Sequence, residues 1–297
     1  MMIRALKLGW NETLRGKRLI FYLWALQAFL ALAFTWPFFL LFRKTFAHSL
    51  LAANLSRGTD LIWLSDLIYN YQNLTPFLSG LGLTLIFLAI PFSLGIDGGI
   101  LGALKSNKSF RFPDFLKAAA VYFYRLLKIF LLFLLSLLFL LLPFSRLLSS
   151  IFNLWTEKAA SAWPAFWAGL IKFLLLLIVY SLLRMFFDYA RIIMAIEDNR
   201  QALKGLARAA ILVSPRLFPA WAVFLLCSLA SLALTFLFFL ILRLIPTSGL
   251  FAFWLSFVVG ETYLLLRLAV KVFTFGSCFH WAHLAMAQRQ PALKVDI

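Results

Sequence analysis

The candidates for chemistry in this sequence are ionisable side chains that lie inside long apolar stretches. Glu261 is the most central of them, within residues 258–263. A carboxylate inside a bilayer is costly unless it is protonated, paired or hydrated, and such residues are often functional. Glu261 is therefore a candidate proton or cation site. The alternative is a structural role through a partner on a neighbouring helix, for which Lys172 is a candidate.

A second group of charges lies where two apolar stretches end. Arg184, Asp188 and Arg191 are four and three residues apart, so they can share one face of a helix. Asp97 closes the earlier stretch, and Pro91 with the glycines after Asp97 predicts a kink or break there. Because no nucleophile accompanies these residues, we predict a structural network at the cytoplasmic rim rather than a catalytic site.

The motifs of common enzymes are missing. The sequence contains no HExxH, GxSxG or Walker A motif. His280 and His283 could share a helix face near Cys278, but a fourth metal ligand is lacking. Cys227, Ser231 and Thr235 recur every fourth residue, a small-residue stripe that is typical of close helix contact. The sequence therefore predicts no catalytic residue, no metal and no cofactor.

The elements that must position these residues are membrane-spanning helices. Hydrophobic residues make up 64% of the 297 residues, against roughly 45–50% in soluble domains, and the mean hydropathy is +0.94. A helix needs roughly 20 apolar residues to cross a bilayer. Stretches of that length occupy about 19–42, 74–96, 124–148, 165–187, 219–242 and 250–272. We therefore predict an all-α bundle of six transmembrane helices that forms a single domain over residues 1–297.

The distribution of lysine and arginine predicts the orientation. Basic residues concentrate before the first span, between spans 2 and 3, and between spans 4 and 5. The positive-inside rule places these segments and both termini in the cytoplasm. The net charge of +17 is spread over three juxtamembrane segments, so it predicts contact with an anionic cytoplasmic leaflet and no nucleic-acid partner.

The basic segments also share a spacing. In each, two basic residues eight positions apart precede an odd-numbered span: Lys7 and Arg15, Lys117 and Arg125, Arg208 and Arg216. This pattern predicts interfacial helices at about 3–15, 113–123 and 199–213, whose basic residues contact lipid headgroups. Further interfacial helices are predicted at about 60–71 and 276–288. The simplest architecture is three repeats of an elbow helix and a transmembrane hairpin, with coincidence as the alternative.

Two segments resemble a known group of proteins. They are residues 95–101 (Gly-Ile-Asp-Gly-Gly-Ile-Leu) with the later 115–125, and residues 188–203 around Asp188-Tyr189-Ala190-Arg191. Both resemble a loose group of uncharacterised bacterial six-span membrane proteins. That group is similar to the membrane domain that accompanies some glycerophosphodiester phosphodiesterases. The resemblance implies a bacterial inner-membrane protein without an assigned activity, and it carries over no catalytic residue.

Three classes of function remain open at this point. The first is a non-enzymatic membrane protein, either permease-like or a scaffold subunit, which acts with a membrane-protein partner or as a homo-oligomer. The second is a secondary transporter that uses Glu261 as its coupling site, and the third is an intramembrane lipid enzyme. Missing catalytic motifs disfavour the enzyme, and the scarcity of charge in mid-membrane disfavours strong ion coupling. We therefore expect the first class.

Overall fold

The computed structural model describes residues 1–46, 69, 74–106, 111–156, 161, 163–246 and 250–288. Within these residues, six segments are long and apolar enough to cross a membrane, which confirms the predicted all-α fold with six spans. The helices, in chain order, are α1 (Met2–Arg15), α2 (Lys17–Phe46), α3 (Leu74–Ser106), α4 (Phe112–Ser136), α5 (Leu142–Thr156), α6 (Trp163–Ile196), α7 (Ala202–Val213), α8 (Leu217–Leu244) and α9 (Leu250–Ala287). A π-helical turn, Leu137–Leu141, joins α4 to α5, and the 3₁₀ turn Ser214–Arg216 joins α7 to α8.

The second span does not break at its glycines. Helix α3 runs through Pro91 and continues past Gly98 and Gly99 to Ser106, contrary to the predicted kink or break. The glycines permit close packing of α3 against α4 instead. A Cβ added at Gly98 would lie 3.1 Å from Tyr122 Cβ, and one added at Gly99 would overlap the ring of Phe115.

Only some of the predicted interfacial segments form separate helices in the structure. Helices α1 and α7 are separate from the spans that follow them, with the break after α1 at Gly16. Residues 113–123 instead form the first part of α4, and residues 276–287 form the last part of α9, so neither is a separate helix. The predicted helix at 60–71 lies outside the described residues apart from Tyr69, which is helical.

Packing is concentrated at one end of the bundle, where α1, α7 and the last turns of α3 and α6 lie. We call this the basic end, because the segments rich in lysine and arginine are there. The fully buried residues of α8 (Ala220, Val223, Phe224 and Cys227) all lie in its first half, near this end. The buried residues of α6 lie between Met185 and Ala195, with Ala168 as the exception. The remaining halves of these helices expose leucine and phenylalanine, as expected of surfaces that face lipid.

Helix α1 is held against the end of α9 by a close backbone approach. A Cβ added at Gly9 would lie 2.6 Å from the backbone nitrogen of Ser277, and one added at Gly276 would lie 3.3 Å from Gly9 Cα. One turn further on, Trp281 is fully buried, and its ring centroid is 5.0 Å from that of Tyr189 on α6. The end of α9 is therefore part of the protein core.

Candidate functional site

A cavity of about 530 Å³ lies within the bundle, with walls from α2, α3, α6, α8 and α9. We call it the central cavity. Four cationic and two anionic side chains line it: Arg184, Arg191, Arg267 and Lys271, with Asp97 and Asp188. Ionisable residues in a membrane protein almost always face such interior spaces, where they pair with one another or with water. The cavity therefore explains where most of the charge within the spans is placed.

The predicted rim network forms in this cavity and has one more member than the sequence suggested. Asp97 is buried and lies between two cations: Lys271 Nζ is 2.6 Å from Asp97 Oδ1, and Arg191 Nη1 is 3.4 Å from Asp97 Oδ2. The same Arg191 nitrogen is 3.5 Å from Asp188 Oδ1. Three helices, α3, α6 and α9, are thus joined through one carboxylate.

Local sequence accounts for this geometry. The spacing of four and three residues puts Arg184, Asp188 and Arg191 on one face of α6, as predicted. Asp97 reaches them because α3 continues as a helix past that residue. The packing of α4 on the α3 glycines then buries the adjoining turn.

Sequence reasoning missed the contribution of α9. Arg267 and Lys271 lie near the end of an apolar stretch, where basic side chains commonly reach the membrane surface, yet both line the central cavity. A signal was available, because residues 267, 271, 274 and 278 follow a spacing of four, three and four, which defines one helix face. All four of these residues line the cavity. A polar stripe along an apolar helix was therefore the informative pattern.

The small polar residues of α8 have two roles. Cys227 and Ser231 line the central cavity together with Ser228. The Thr235 hydroxyl lies 3.1 Å from the Tyr263 hydroxyl of α9, which is a helix contact of the predicted kind. Cys278 of α9 lines it as well, and both cysteines are free thiols. Neither histidine near Cys278 lines the cavity, and His280 Nε2 instead lies 3.9 Å from Glu12 Oε1. The described residues contain no group of three potential metal ligands.

Several donors in the cavity lack a full partner. Arg267 forms no ion pair within the described part of the chain. Arg191 Nε is buried and has no hydrogen-bond acceptor among the described residues. Arg184 is more than half exposed, and its Nε is 3.9 Å from Asp188 Oδ2, beyond hydrogen-bond distance. The guanidinium groups of Arg184 and Arg267 therefore retain accessible donors for an additional anion.

Glu261 and Lys172 are not partners. Glu261 Oε2 accepts a hydrogen bond of 2.6 Å from Trp24 Nε1, which links α9 to α2. Lys172 Nζ donates to Ser149 Oγ at 2.6 Å and so links α6 to α5. The suggested pair of Glu261 with Lys172 is therefore wrong. Neither residue lines the central cavity.

Replacing Glu261 tests its structural role. Glu261→Leu should destabilise the protein by about 1–3 kcal/mol, because the Trp24 indole N–H loses its acceptor in an apolar setting. Glu261→Gln keeps a carbonyl acceptor and should lose less. Equilibrium unfolding in mixed micelles measures both, with Thr262→Val as the control, since the Thr262 hydroxyl bonds only within its own helix. A Glu261→Leu protein as stable as the parent would contradict the structural role.

The six residues predicted to contact headgroups divide into two groups. Lys7, Arg15, Lys117 and Arg208 are exposed, as such contact requires. Arg125 is buried, and its Nη1 lies 2.5 Å from Asp198 Oδ1, so it is not available to headgroups. This hydrogen bond lowers the pKa of Asp198 below its usual value. Arg208 pairs with Glu197 at 2.6 Å, and Arg216 Nη1 lies 4.0 Å from Met1 Sδ.

Comparison with known protein families, with curated proteins and with solved structures finds no match for this chain. The resemblance given above therefore rests on the quoted segments alone. The case for a function depends on the central cavity and its charges.

Proposed function

We propose that this chain is a non-enzymatic, permease-like integral membrane protein whose central cavity binds a small anion. The observation that carries the proposal is the excess of positive charge around the central cavity, whose wall contains four cations and two carboxylates. The proposal includes a bacterial inner-membrane location with both termini in the cytoplasm, supported by the positive-inside rule. On that orientation the basic end lies at the cytoplasmic face.

The carboxylates of the cavity do not neutralise its cations. Asp97 is shared between Lys271 and Arg191, and Arg191 is also the nearest cation to Asp188. Arg267 and most of the Arg184 donors remain available. A guanidinium in a low-dielectric site binds carboxylate or phosphate oxygens in a bidentate way, so the ligand class we propose is an oxyanion.

The other polar groups of the wall support binding rather than catalysis. Ser228, Ser231 and Thr274 carry hydroxyls and Gln27 carries an amide, all of which can donate hydrogen bonds to an oxyanion. Glu261 is the alternative coupling site for a secondary transporter. It does not line the cavity, and its carboxylate already accepts a hydrogen bond from the Trp24 indole. The permease-like alternative is therefore favoured over proton coupling through Glu261.

Anion titration of the purified full chain in neutral-lipid nanodiscs tests the proposal. Sulfate and inorganic phosphate at constant ionic strength should raise the thermal unfolding midpoint, whereas chloride should have little effect. Arg267→Gln should weaken the apparent affinity by about tenfold or more, because a charge-assisted hydrogen bond contributes about 1.5–3 kcal/mol. Uptake of labelled sulfate or phosphate into proteoliposomes then separates a permease from a scaffold.

Arg243→Gln is the matched control. Arg243 lies in the last turn of α8, at the opposite end from the basic end, and does not line the cavity. The control should keep the affinity of the parent. Equal affinities in the parent and the Arg267→Gln protein, or no anion-specific stabilisation at all, would overturn the proposal.

A further inference from the structure

A second cavity, of about 790 Å³, lies at the basic end and is separate from the central cavity. Its walls come from the end of α1, the start of α2, the last turn of α3, the first turns of α4 and Val272 of α9. We call it the elbow cavity. We infer that the elbow cavity binds the headgroup of an anionic glycerophospholipid through Arg15 and Arg111. The inference does not depend on the function proposed for the central cavity.

Most charges of the elbow cavity already have a local role. Its cations are Arg15, Lys105 and Arg111, and its carboxylates are Glu12 and Asp114. Lys105 Nζ donates to the carbonyl oxygen of Ala195 at 2.9 Å. Asp114 lies in the first turn of α4, where a carboxylate is favoured by the helix dipole. Glu12 Oε1 is 3.9 Å from His280 Nε2.

Arg15 and Arg111 are left without such partners. Neither forms an ion pair with any residue that the structure describes. Arg15 is in the last turn of α1, and Arg111 directly precedes α4, so the two guanidinium groups flank the cavity from different segments. Two planar guanidinium groups of this kind are suited to the oxygens of one phosphate.

Apolar surface next to the arginines favours a lipid over a soluble phosphate. Phe115 lines the cavity, and its ring stacks on that of Phe112 with centroids 6.3 Å apart. Phe112 in turn stacks on Tyr22 at 5.7 Å. Phe112 and Tyr22 are both exposed on the membrane-spanning helices α4 and α2. These rings form a continuous apolar path from the cavity to the lipid-facing surface, along which acyl chains can lie.

The inference is tested with the full chain and defined lipids. The protein is purified in mild detergent, supplied with phosphatidylglycerol or phosphatidylcholine, and examined by native mass spectrometry and thermal unfolding. Phosphatidylglycerol should be retained in preference to phosphatidylcholine and should raise the unfolding midpoint. The Arg15→Gln/Arg111→Gln double variant should lose at least about tenfold in phosphatidylglycerol affinity, since each arginine contributes a charge-assisted contact.

The control is Arg4→Gln combined with Lys204→Gln, which removes the same number of charges from exposed positions on α1 and α7. Neither Arg4 nor Lys204 lines the elbow cavity. This control should retain the lipid as the parent does. Both double variants should also keep the elution volume and the lipid-free unfolding midpoint of the parent, which shows that they are folded. Equal retention in the parent and the arginine double variant would overturn the inference. Preferential binding of inorganic phosphate or glycerol phosphate at these arginines would overturn the lipid assignment.

Discussion

Asp97→Asn is expected to lower the free energy of unfolding by about 3–5 kcal/mol. The substitution keeps the shape of the side chain but removes the charge that compensates Lys271 Nζ at 2.6 Å and Arg191 at 3.4 Å. Two cations would then remain inside the bundle without their main partner, and uncompensated buried charge is strongly destabilising. Equilibrium unfolding in mixed micelles measures the loss.

A second variant separates charge imbalance from a local packing defect. The Asp97→Asn/Lys271→Met protein should regain part of the lost stability, because one of the two uncompensated cations is removed. Asp114→Asn is the matched control, since Asp114 is an exposed acid in the first turn of α4 and should change stability by less than about 1 kcal/mol. If the double variant is no more stable than Asp97→Asn, the ion network does not provide the stability assigned to it.

The surroundings of Asp97 show which parts of the site can be predicted from the sequence. The charges of α6 were predicted correctly, because a spacing of four and three residues on one helix is a local property. The environment of Asp97 was not predicted correctly, because the glycines after it are compatible with either a helix break or a close helix contact. Only the presence of α4, with Phe115 and Tyr122 against those glycines, decides between them. Local sequence carries no direct information about that partner.

The contribution of α9 was missed for a related reason. Arg267 and Lys271 lie near the end of an apolar stretch, and such residues commonly extend to the headgroups. Helix α9 continues to Ala287, well past the predicted end of the span, so both residues lie in its interior, and both line the central cavity. The length of a hydrophobic stretch sets the minimum length of a spanning helix, but it does not set where the helix ends.

The prediction of six spans succeeded because it depended on composition over long windows. The prediction of an interfacial helix over 276–288 failed because tryptophan and histidine are typical both of membrane interfaces and of protein cores. The close approach of Gly9 to Gly276 and Ser277 brings α1 onto this segment and excludes lipid from it. Its tryptophan is therefore a core residue, and its replacement has a large expected effect.

Trp281→Ala is expected to destabilise the protein by about 3–5 kcal/mol, the range for removing a large aromatic side chain from a packed core. Trp281 is fully buried against Tyr189, and its indole nitrogen has no hydrogen-bond acceptor among the described residues. Trp281→Phe should therefore lose much less, because it removes volume but no hydrogen bond. Trp254→Ala on the same helix is the control. Because Trp254 is exposed, this substitution should lower the free energy of unfolding by only about 0.5 kcal/mol. Similar losses for Trp281→Ala and Trp254→Ala, measured by the same unfolding assay, would show that the end of α9 lies at an interface after all.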